Sequence, residues 1–351
     1  MILSEASARI CFFGDHQDYL NLPIIAGTID RKIILKAKPN STTTYFIQLP
    51  DLESSITINL NEKITLIAQE DYYRSSMAIL QNKGAQFTQG FDIEISGNIP
   101  INAGVSSSSA IVVAWLRFLI QAQEAASSVS NVTLGKLAYE AEVLYFKQPG
   151  GLMDQYTIAQ GGLLYINTQT GSSTKIPSTI GRLVLAESGI SKETLTVLQN
   201  ARAFGRNALE AVLKKEPDFD IHTATVSSYN NYLHLVPKEY KDHWYAAIHN
   251  HLLTQRAKKA LQSDEPNLKF IGSLMNAHQA ILEKRIQNTP TTMKTQIEAA
   301  CSAGALGAKI IGSGGGGSMV AMVTEETLRP VINAFLAKGA KAAYEVNLTQ
   351  S

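Results

Sequence analysis

Apolar and polar positions alternate in short runs through the first hundred residues, which predicts a β-rich region. Residues 71–83 and 133–147 instead carry apolar side chains at helical spacing, and the apolar run at 111–120 predicts a buried helix. The predicted strands cover residues 9–14, 22–28, 32–37, 43–49, 55–60, 91–95, 163–166 and 182–186. Further helices are predicted at residues 196–213, 222–262, 268–285 and 295–303. Together these elements predict a β-rich first part and a mostly helical second part.

The pattern becomes mostly helical near residue 182, which predicts two domains, residues 1–182 and 183–351. A length of 351 residues suits one large or two ordinary domains. Hydrophobic residues make up 45% of the chain, which is enough for two proper cores. No internal repeat or low-complexity tail is present. We therefore expect two folded units that meet around residue 182.

Composition and charge exclude several classes of function. The formal net charge is +1 and no basic run occurs, so no nucleic-acid partner is expected. Cys11 and Cys301 are far apart and lie among apolar or small residues, which predicts core thiols in a reducing compartment. The N-terminal residues show no signal-peptide pattern, and the apolar runs are too short to span a membrane. These features predict a cytoplasmic protein without a membrane partner.

A small-residue loop at 100–110 joins the strand at 91–95 to the helix at 111–120. Such a loop exposes backbone N–H groups at the positive end of a helix dipole, where phosphate binds. Gly104 allows a ligand to approach the backbone closely, and the serines that follow can bond phosphate oxygens or help to hold Mg²⁺. The sequence is not a Walker A loop. A serine-rich helix cap is the alternative interpretation.

A second polar segment, Asp15-His16-Gln17-Asp18-Tyr19, follows a glycine at the end of the first predicted strand. Two carboxylates, an imidazole and a phenol are too polar to bury without partners. Such a loop of donors and acceptors suits a hydroxyl-rich ligand such as a sugar. The alternative is a solvated turn with a helix cap.

Acidic residues near the middle of the chain are also candidates for chemistry. Asp154 follows a Pro-Gly-Gly turn and lies among apolar and small residues, so it is either a helix cap or a base in a dry site. Glu140 and Glu142 would point about 200° apart on a helix, so both cannot face one ligand.

Five glycines occur within residues 312–317, between two apolar runs that predict strands. This density of glycine excludes the interior of a helix or strand, because the entropy cost is too high. A hairpin would need fewer glycines, and a dinucleotide-binding motif would need a helix after the loop. The segment therefore predicts a loop that a ligand or another part of the backbone approaches closely.

Taken in order, residues 9–26, 100–110 and 309–318 resemble the three motifs of the GHMP small-molecule kinases. Within the family the likeness is closest to the galactokinases, whose first motif reads GEHTDY and whose catalytic segment reads GIMDQ. Here residues 14–19 read GDHQDY, with Arg9 five residues before the glycine, and residues 151–155 read GLMDQ. Glu142 lies twelve residues before Asp154, where the family has its metal-binding glutamate.

The resemblance implies two α+β domains with an active site in the cleft between them, the first like ribosomal protein S5 domain 2 and the second ferredoxin-like. It implies transfer of the ATP γ-phosphoryl group to a hydroxyl, the anomeric one of galactose or a related sugar. Asp154 would accept the hydroxyl proton, and Arg9 would keep Asp154 ionised and stabilise the developing charge. The protein would be a monomer or a small homo-oligomer.

The resemblance also assigns binding roles to individual residues. Those implied for ATP are Ala103, Gly104, Val105, Ser106, Ser107, Ser108, Gly314 and Gly315. Those implied for Mg²⁺ are Ser107, Ser108 and Glu142, and those implied for the sugar are Asp15, His16, Asp18 and Gly151.

Departures from the galactokinase pattern leave alternative acceptors open. Asp15 stands in place of the usual Glu and Gln17 in place of Thr, and residues 188–194, SGISKET, are closer to mevalonate kinases. Alternatives are a kinase for mevalonate, a heptose, a uronic acid or an N-acetylhexosamine, or a non-catalytic sugar sensor. A carboxylate substrate would need an additional Arg or Lys near the first motif, and residues 15–18 contain none, which favours a neutral sugar. Retention of Arg9, Glu142 and Asp154 argues against the sensor.

Overall fold

The computed structural model describes residues 1–62, 66–100, 103–123, 129–177, 180–191 and 194–350, apart from the side chains of residues 194–197. Within these residues the chain forms two sheets, each covered by helices. The first sheet consists of β1 (Ile2–Phe13), β2 (Ile24–Pro39), β3 (Thr44–Leu49), β4 (Ser54–Asn59), β5 (Phe91–Gly97), β6 (Leu163–Asn167) and β7 (Ser172–Lys175). Its order is β4-β3-β5-β2-β6-β7 with β1 also paired to β2, and all pairs are antiparallel except β3 with β5.

Strand β2 is continuous where the sequence predicted two separate strands. Its first half pairs with β6, its second half pairs with β5, and β1 runs along its other edge. The polar residues between the two predicted strands find partners in the C-terminal segment. Asp30 N donates to Asn347 O at 3.0 Å, and the Arg31 guanidinium lies 4.7 Å from the centre of the Tyr344 ring. These contacts explain how β2 crosses a polar stretch without breaking.

The helices of the first part are α1 (Tyr72–Gln81), α2 (Ser107–Gln121), α3 (Asn131–Tyr139) and α4 (Met153–Gln160). Helix α2 packs on β1 and β2 and buries Trp115 and Phe118 completely. Helix α3 ends earlier than predicted because Glu140–Leu144 forms a π-helical turn. Neither α4 nor β7 was predicted.

The second sheet contains β8 (Arg182–Glu187), β9 (Gly307–Ile310), β10 (Ser318–Val323) and β11 (Ala342–Val346), in the antiparallel order β11-β8-β10-β9. The accompanying helices are α5 (Thr194–Leu213), α6 (Val226–Tyr232), α7 (Lys241–Leu261), α8 (Leu268–Ile281), α9 (Thr291–Ser302) and α10 (Glu325–Ala337). This half is therefore less helical than its pattern suggested. Helix α10 and strand β11 were not predicted.

Strand β10 is buried on both faces, which accounts for its unbroken apolar sequence. Val320 and Met322 pack into the large core shared with the first sheet, whereas Met319 and Ala321 pack into the core beneath α9 and α10. The strand therefore connects the two halves of the molecule and fixes the glycine-rich loop that precedes it.

The domain ranges 1–182 and 183–351 stay a prediction. Arg182 begins β8, but the C-terminal segment returns to the first sheet, where Ile29 and Leu348 form a β-bridge. Both cysteines are free thiols: Cys11 is fully buried and Cys301 is half-buried. None of the helices in the described segments is long and apolar enough to cross a bilayer.

Candidate active site

One cavity of about 350 Å³ brings the three sequence motifs together. Residues from the ends of β1, α2, α4 and the loop between β9 and β10 contribute to its wall. The predicted residues that line it are Arg9, Asp15, His16, Asp18, Gly104, Ser106, Ser107, Ser108, Glu142, Gly151 and Asp154. Gly312 of the predicted glycine-rich loop also lines it, as do Gln155 and Ser313, to which the sequence assigned no role.

Arg9 and Asp154 form a bidentate ion pair at this cavity. Arg9 Nε donates to Asp154 Oδ1 and Arg9 Nη2 to Asp154 Oδ2, each at 2.7 Å, while Arg9 Nη1 donates to Gly104 O at 2.7 Å. Burial opposes the charge on Arg9, but the Asp154 carboxylate raises the pKa of Arg9 above its ordinary value. The Arg9 side chain is buried, whereas the Asp154 side chain is a quarter exposed. Arg9 therefore holds Asp154 from the buried side, and the carboxylate remains accessible from the cavity.

Asp154 does not cap a helix, so the cap interpretation is wrong. It lies in the first turn of α4, whose N-cap position is Leu152, and no side chain caps that helix. Asp154 instead accepts hydrogen bonds from Arg9 and from the Ser106 hydroxyl. A carboxylate that faces a cavity and is oriented by two donors can act as a general base.

The predicted phosphate loop leads directly into α2. Ser106 occupies the N-cap position with a left-handed φ of 61°, and its hydroxyl bonds Asp154 rather than a backbone amide of the helix. The serine-cap alternative therefore does not describe this loop. Ser107 and Ser108 line the cavity at the positive end of the helix dipole. Ala103 and Val105 are buried behind it, and Arg9 N donates to Val105 O at 3.2 Å.

Glu142 and Glu140 point in different directions, as their spacing on a helix predicted. Glu142 is 5% exposed and accepts a hydrogen bond from Gln155 Nε2 at 2.7 Å, whereas Glu140 pairs with Lys83 on the other side. Burial raises the pKa of Glu142, and bonds from Gln155 and the neighbouring serines oppose the rise. No Lys, Arg or His of the described chain forms an ion pair with Glu142. Its position beside Ser108 suits a divalent cation that would supply the missing positive charge.

The described residues contain no cluster of three or more His, Cys, Asp or Glu side chains that could hold a metal by themselves. Mg²⁺ is commonly held by one or two carboxylates together with substrate phosphates and water. One buried carboxylate and adjacent serine hydroxyls therefore fit Mg²⁺ that arrives with a nucleotide.

Asp18 faces the cavity and packs directly against Gly151. A Cβ on Gly151 would collide with the Asp18 carboxylate, so any larger residue at this position would displace that carboxylate. Burial raises the pKa of Asp18 to about 6, with further contributions from the Asp154 and Asp15 charges, while Tyr19 N and Arg202 oppose the rise. Asp18 and Asp154 thus present two acceptors to one part of the cavity.

Asp15 and Lys309 form an ion pair that is almost completely buried. Lys309 is 0% exposed, and its Nζ donates to Asp15 Oδ2 at 2.7 Å, to Cys11 O at 3.1 Å and to Ile310 O at 2.6 Å. Asp15 Oδ1 accepts the Gly312 amide at 3.1 Å. Burial would raise the pKa of Asp15, but Lys309 holds it below its ordinary value. Both Asp15 oxygens therefore already have partners.

His16 meets the glycine-rich loop from the first motif. Its Nε2 lies 2.9 Å from Ser313 O and 3.0 Å from Asn288 Nδ2, and Tyr19 OH lies 3.3 Å from Nδ1. Asn288 Nδ2 also donates to Ser313 O at 2.9 Å. Asn288, which precedes α9, therefore joins the loop to His16.

The glycine-rich loop faces the cavity through Gly312 and Ser313, not through Gly314 and Gly315 as predicted. The Gly315 amide donates to Asn288 O at 2.7 Å, so it is directed into the protein. A Cβ on Gly317 would lie 3.1 Å from Ala103 O, so this part of the loop supports the phosphate loop from behind.

Sequence reasoning missed Lys309, Asn288, Ser313 and Gln155 as parts of the site. Lys309 and Ser313 lie within the third motif and Gln155 within the catalytic segment, so each carried a weak signal. Asn288 carried none, because it lies in an ordinary connection between two helices.

A second cavity, of about 850 Å³, lies on the other side of the phosphate loop. Apolar side chains from β2, β5 and α2 line it together with Tyr73 and Tyr344. Ser107 contributes to both cavities. A ligand with an aromatic part in the larger cavity could therefore place a charged part over residues 106–108.

Two family models match the chain. One, described as the GHMP kinases N terminal domain, matches residues 71–162, and one described as GHMP kinases C terminal matches residues 257–341. Together the two matches cover just over half of the chain.

Individual proteins are similar over nearly the whole length. A mevalonate kinase from Thermococcus gammatolerans is 24% identical over 340 residues, 93% of this chain and 90% of that protein. A galactokinase from Thermococcus kodakarensis is 25% identical over 320 residues, 90% of this chain and 87% of that protein. The crystal structure of Lactococcus lactis galactokinase complexed with galactose matches with a TM-score of 0.84 at 20% identity, covering 99% of this chain and 93% of that one. The predicted two-domain fold is confirmed.

Proposed function

Because the chain belongs to the GHMP kinase family, we propose that it transfers the γ-phosphoryl group of ATP to a hydroxyl of a neutral sugar, the anomeric hydroxyl of galactose or a related sugar. One observation carries this proposal. Asp154, oriented by Arg9 and Ser106, lies in one cavity between the phosphate loop and the Asp18–Gly151 contact. A base, a phosphate site and a set of hydroxyl-binding acceptors thus share one space.

The arrangement of two neighbouring cavities favours an elongated nucleotide as the phosphoryl donor. The adenosine would occupy the larger cavity, and the phosphates would pass Ser107 to reach the smaller one. Backbone amides at the start of α2 would bind phosphate oxygens, since a helix N-terminus attracts negative charge. The two adjacent cavities and the helix N-terminus between them therefore support ATP as the phosphoryl donor.

Mg²⁺ fits beside the phosphates. Glu142 with Ser107 or Ser108 would hold it, and when bound it would neutralise phosphate charge. Gln155 orients the Glu142 carboxylate through its 2.7 Å hydrogen bond. The chain thus contributes the buried Glu142 carboxylate, whose negative charge a bound cation would balance.

In the transfer step Asp154 accepts the proton of the acceptor hydroxyl. The hydroxyl oxygen forms a bond to the γ-phosphorus as the bond from that phosphorus to the bridging oxygen breaks, and ADP leaves with the electron pair. Arg9 holds both carboxylate oxygens of Asp154 and so fixes their direction. Positioning and charge stabilisation of this kind supply most of the catalysis in phosphoryl transfer.

The charges around the acceptor favour a neutral sugar over a carboxylate such as mevalonate. Among the described residues that line this cavity, Arg9 is the single Arg or Lys, and Asp154 already engages it. Asp18 and Asp154 would bind hydroxyls and repel a carboxylate. Relatives of comparable similarity carry the names mevalonate kinase and galactokinase, so the acceptor requires a direct test.

The test is an ADP-release assay with Mg²⁺-ATP and separate acceptors: galactose, other hexoses, N-acetylhexosamines, a heptose, a hexuronic acid and mevalonate. We expect turnover with galactose or a related neutral sugar and none with mevalonate. Turnover restricted to mevalonate would overturn the sugar assignment and leave the kinase chemistry intact. ATP binding without turnover of any acceptor would favour the sensor alternative.

A further inference from the structure

The wall of the acceptor cavity that the second sheet contributes contains a hydroxyl without a partner. Ser313 lines the cavity and is 8% exposed, and its Oγ is buried with no hydrogen-bond partner among the described residues. A buried hydroxyl nearly always has a partner, because leaving it unpaired costs free energy. At the wall of a binding cavity, that partner can come from the ligand.

The Ser313 backbone is held from two sides. Its carbonyl oxygen accepts a hydrogen bond from Asn288 Nδ2 and lies 2.9 Å from His16 Nε2. The preceding residue, Gly312, donates its amide to Asp15. Rotation about one bond, χ1, can then move the hydroxyl while the peptide stays in place. A group fixed in this way can contribute to specificity at little entropic cost.

Asp15 is one of the residues that the first motif assigned to the sugar. Its two oxygens are engaged by Lys309 and by the Gly312 amide, and its side chain is 1% exposed. Breaking a buried pair to bind a sugar hydroxyl would leave Lys309 charged and unpaired, which is costly. Asp15 therefore positions the loop through the Gly312 amide, and its buried carboxylate presents little surface to a sugar.

We propose that Ser313, positioned by the Asp15–Lys309 pair through Gly312, makes the hydrogen bond to the acceptor sugar that the motif would assign to Asp15. This inference rests on the proposed function and specifies which side chain recognises one sugar hydroxyl. The contact joins the loop of the second sheet to the substrate. Recognition of the sugar thus involves both halves of the molecule.

The matched variants are Ser313→Ala and Ser318→Ala. Ser318 is also a buried serine whose Oγ lacks a partner among the described residues, but it begins β10 and lines neither the acceptor cavity nor its neighbour. Both changes remove one unpaired buried hydroxyl, so neither should lower the Tm. We expect Ser313→Ala to raise the KM for the sugar roughly 3- to 10-fold, the size of one neutral hydrogen bond. The KM for ATP should stay unchanged, and Ser318→Ala should match the wild type in both.

Deoxy-sugars then test the contact itself. We expect one deoxy analogue for which the wild type and Ser313→Ala have equal KM values, because the hydroxyl that Ser313 binds is already missing. If Ser313→Ala equals Ser318→Ala for the parent sugar and every analogue, the inference is overturned while the proposed function stands. If the wild-type protein phosphorylates no sugar, the proposed function fails first and this inference fails with it.

Discussion

At the scale of the residue, the proposed chemistry depends on the Arg9–Asp154 pair. We expect Asp154→Asn to lower kcat at least ~10²-fold, because the amide cannot accept the hydroxyl proton. Asparagine keeps one acceptor for Arg9, and Arg9 keeps its bond to Gly104 O, so the variant should fold with a lowered Tm. Steady-state kinetics and thermal unfolding measure the two effects.

The control for Asp154→Asn is ATP affinity measured by calorimetry, which should change little because the phosphate loop is intact. A kcat within a few-fold of the wild type would remove Asp154 from the role of base.

We expect Asp18 to contribute to sugar binding and, at high pH, to destabilise the folded protein. The folded protein keeps the proton on Asp18 up to about pH 6, whereas an unfolded aspartate loses it near its ordinary pKa of 3.8. The free energy of unfolding therefore falls as the pH rises from 3.8 to about 6. Above about pH 6 Asp18 is ionised in both states, and its buried charge destabilises the folded protein by a constant amount. We expect Asp18→Asn to raise the Tm at pH 8 by roughly 2–5 °C and to weaken sugar binding.

The gain in Tm from Asp18→Asn should shrink as the pH falls from 6 towards 4, which thermal unfolding across that range would measure. Asp92→Asn, at an exposed aspartate of β5, is the control for the removal of one carboxylate. A constant difference between wild type and Asp18→Asn at every pH would contradict the raised pKa.

At the scale of the element, the Lys309–Asp15 pair ties β9 to the loop that follows β1. We expect Lys309→Met to lower the free energy of unfolding by about 3–5 kcal/mol, because it leaves the Asp15 charge buried without its partner. Lys32→Met, which removes the exposed pair with Glu5, should cost less than about 1 kcal/mol. Denaturant titrations of both variants measure these changes in the free energy of unfolding. Equal losses would show that the buried pair stabilises the protein no more than the exposed pair does.

Sequence periodicity predicted strands that bury one face, such as β3 and β5, and a continuous apolar run predicted the buried helix α2. It split β2 in two because the partners of Asp30 and Arg31 lie near the other end of the chain. It missed α4, which begins directly after a glycine turn. A local sequence pattern contains no information about contacts with residues far away in the chain, and it did not predict a helix that begins at a turn.

For the candidate site, the resemblance to the family predicted that Arg9, Asp154 and Glu142 would lie at one active site, and all three line one cavity. Motif order could not predict that Asp15 turns towards Lys309, since these residues are 294 positions apart in the chain. The same limit applies to Asn288. Pairings of this kind arise only when the two sheets are assembled.

At the scale of the whole molecule, the cavity exists because two sheets share a core through β10. The first sheet contributes the phosphate loop and the base, and the second contributes the Gly312–Ser313 wall. An acceptor held between them would be shielded from water, which limits transfer of the phosphoryl group to water. The identity of that acceptor distinguishes a sugar kinase from a mevalonate kinase.

The most direct test is a competition in one tube: the protein, Mg²⁺-ATP, galactose and mevalonate at equal concentration, with products identified by ³¹P NMR. We predict a sugar 1-phosphate as the phosphorylated product, with mevalonate unchanged. Formation of phosphomevalonate with galactose unchanged would contradict it.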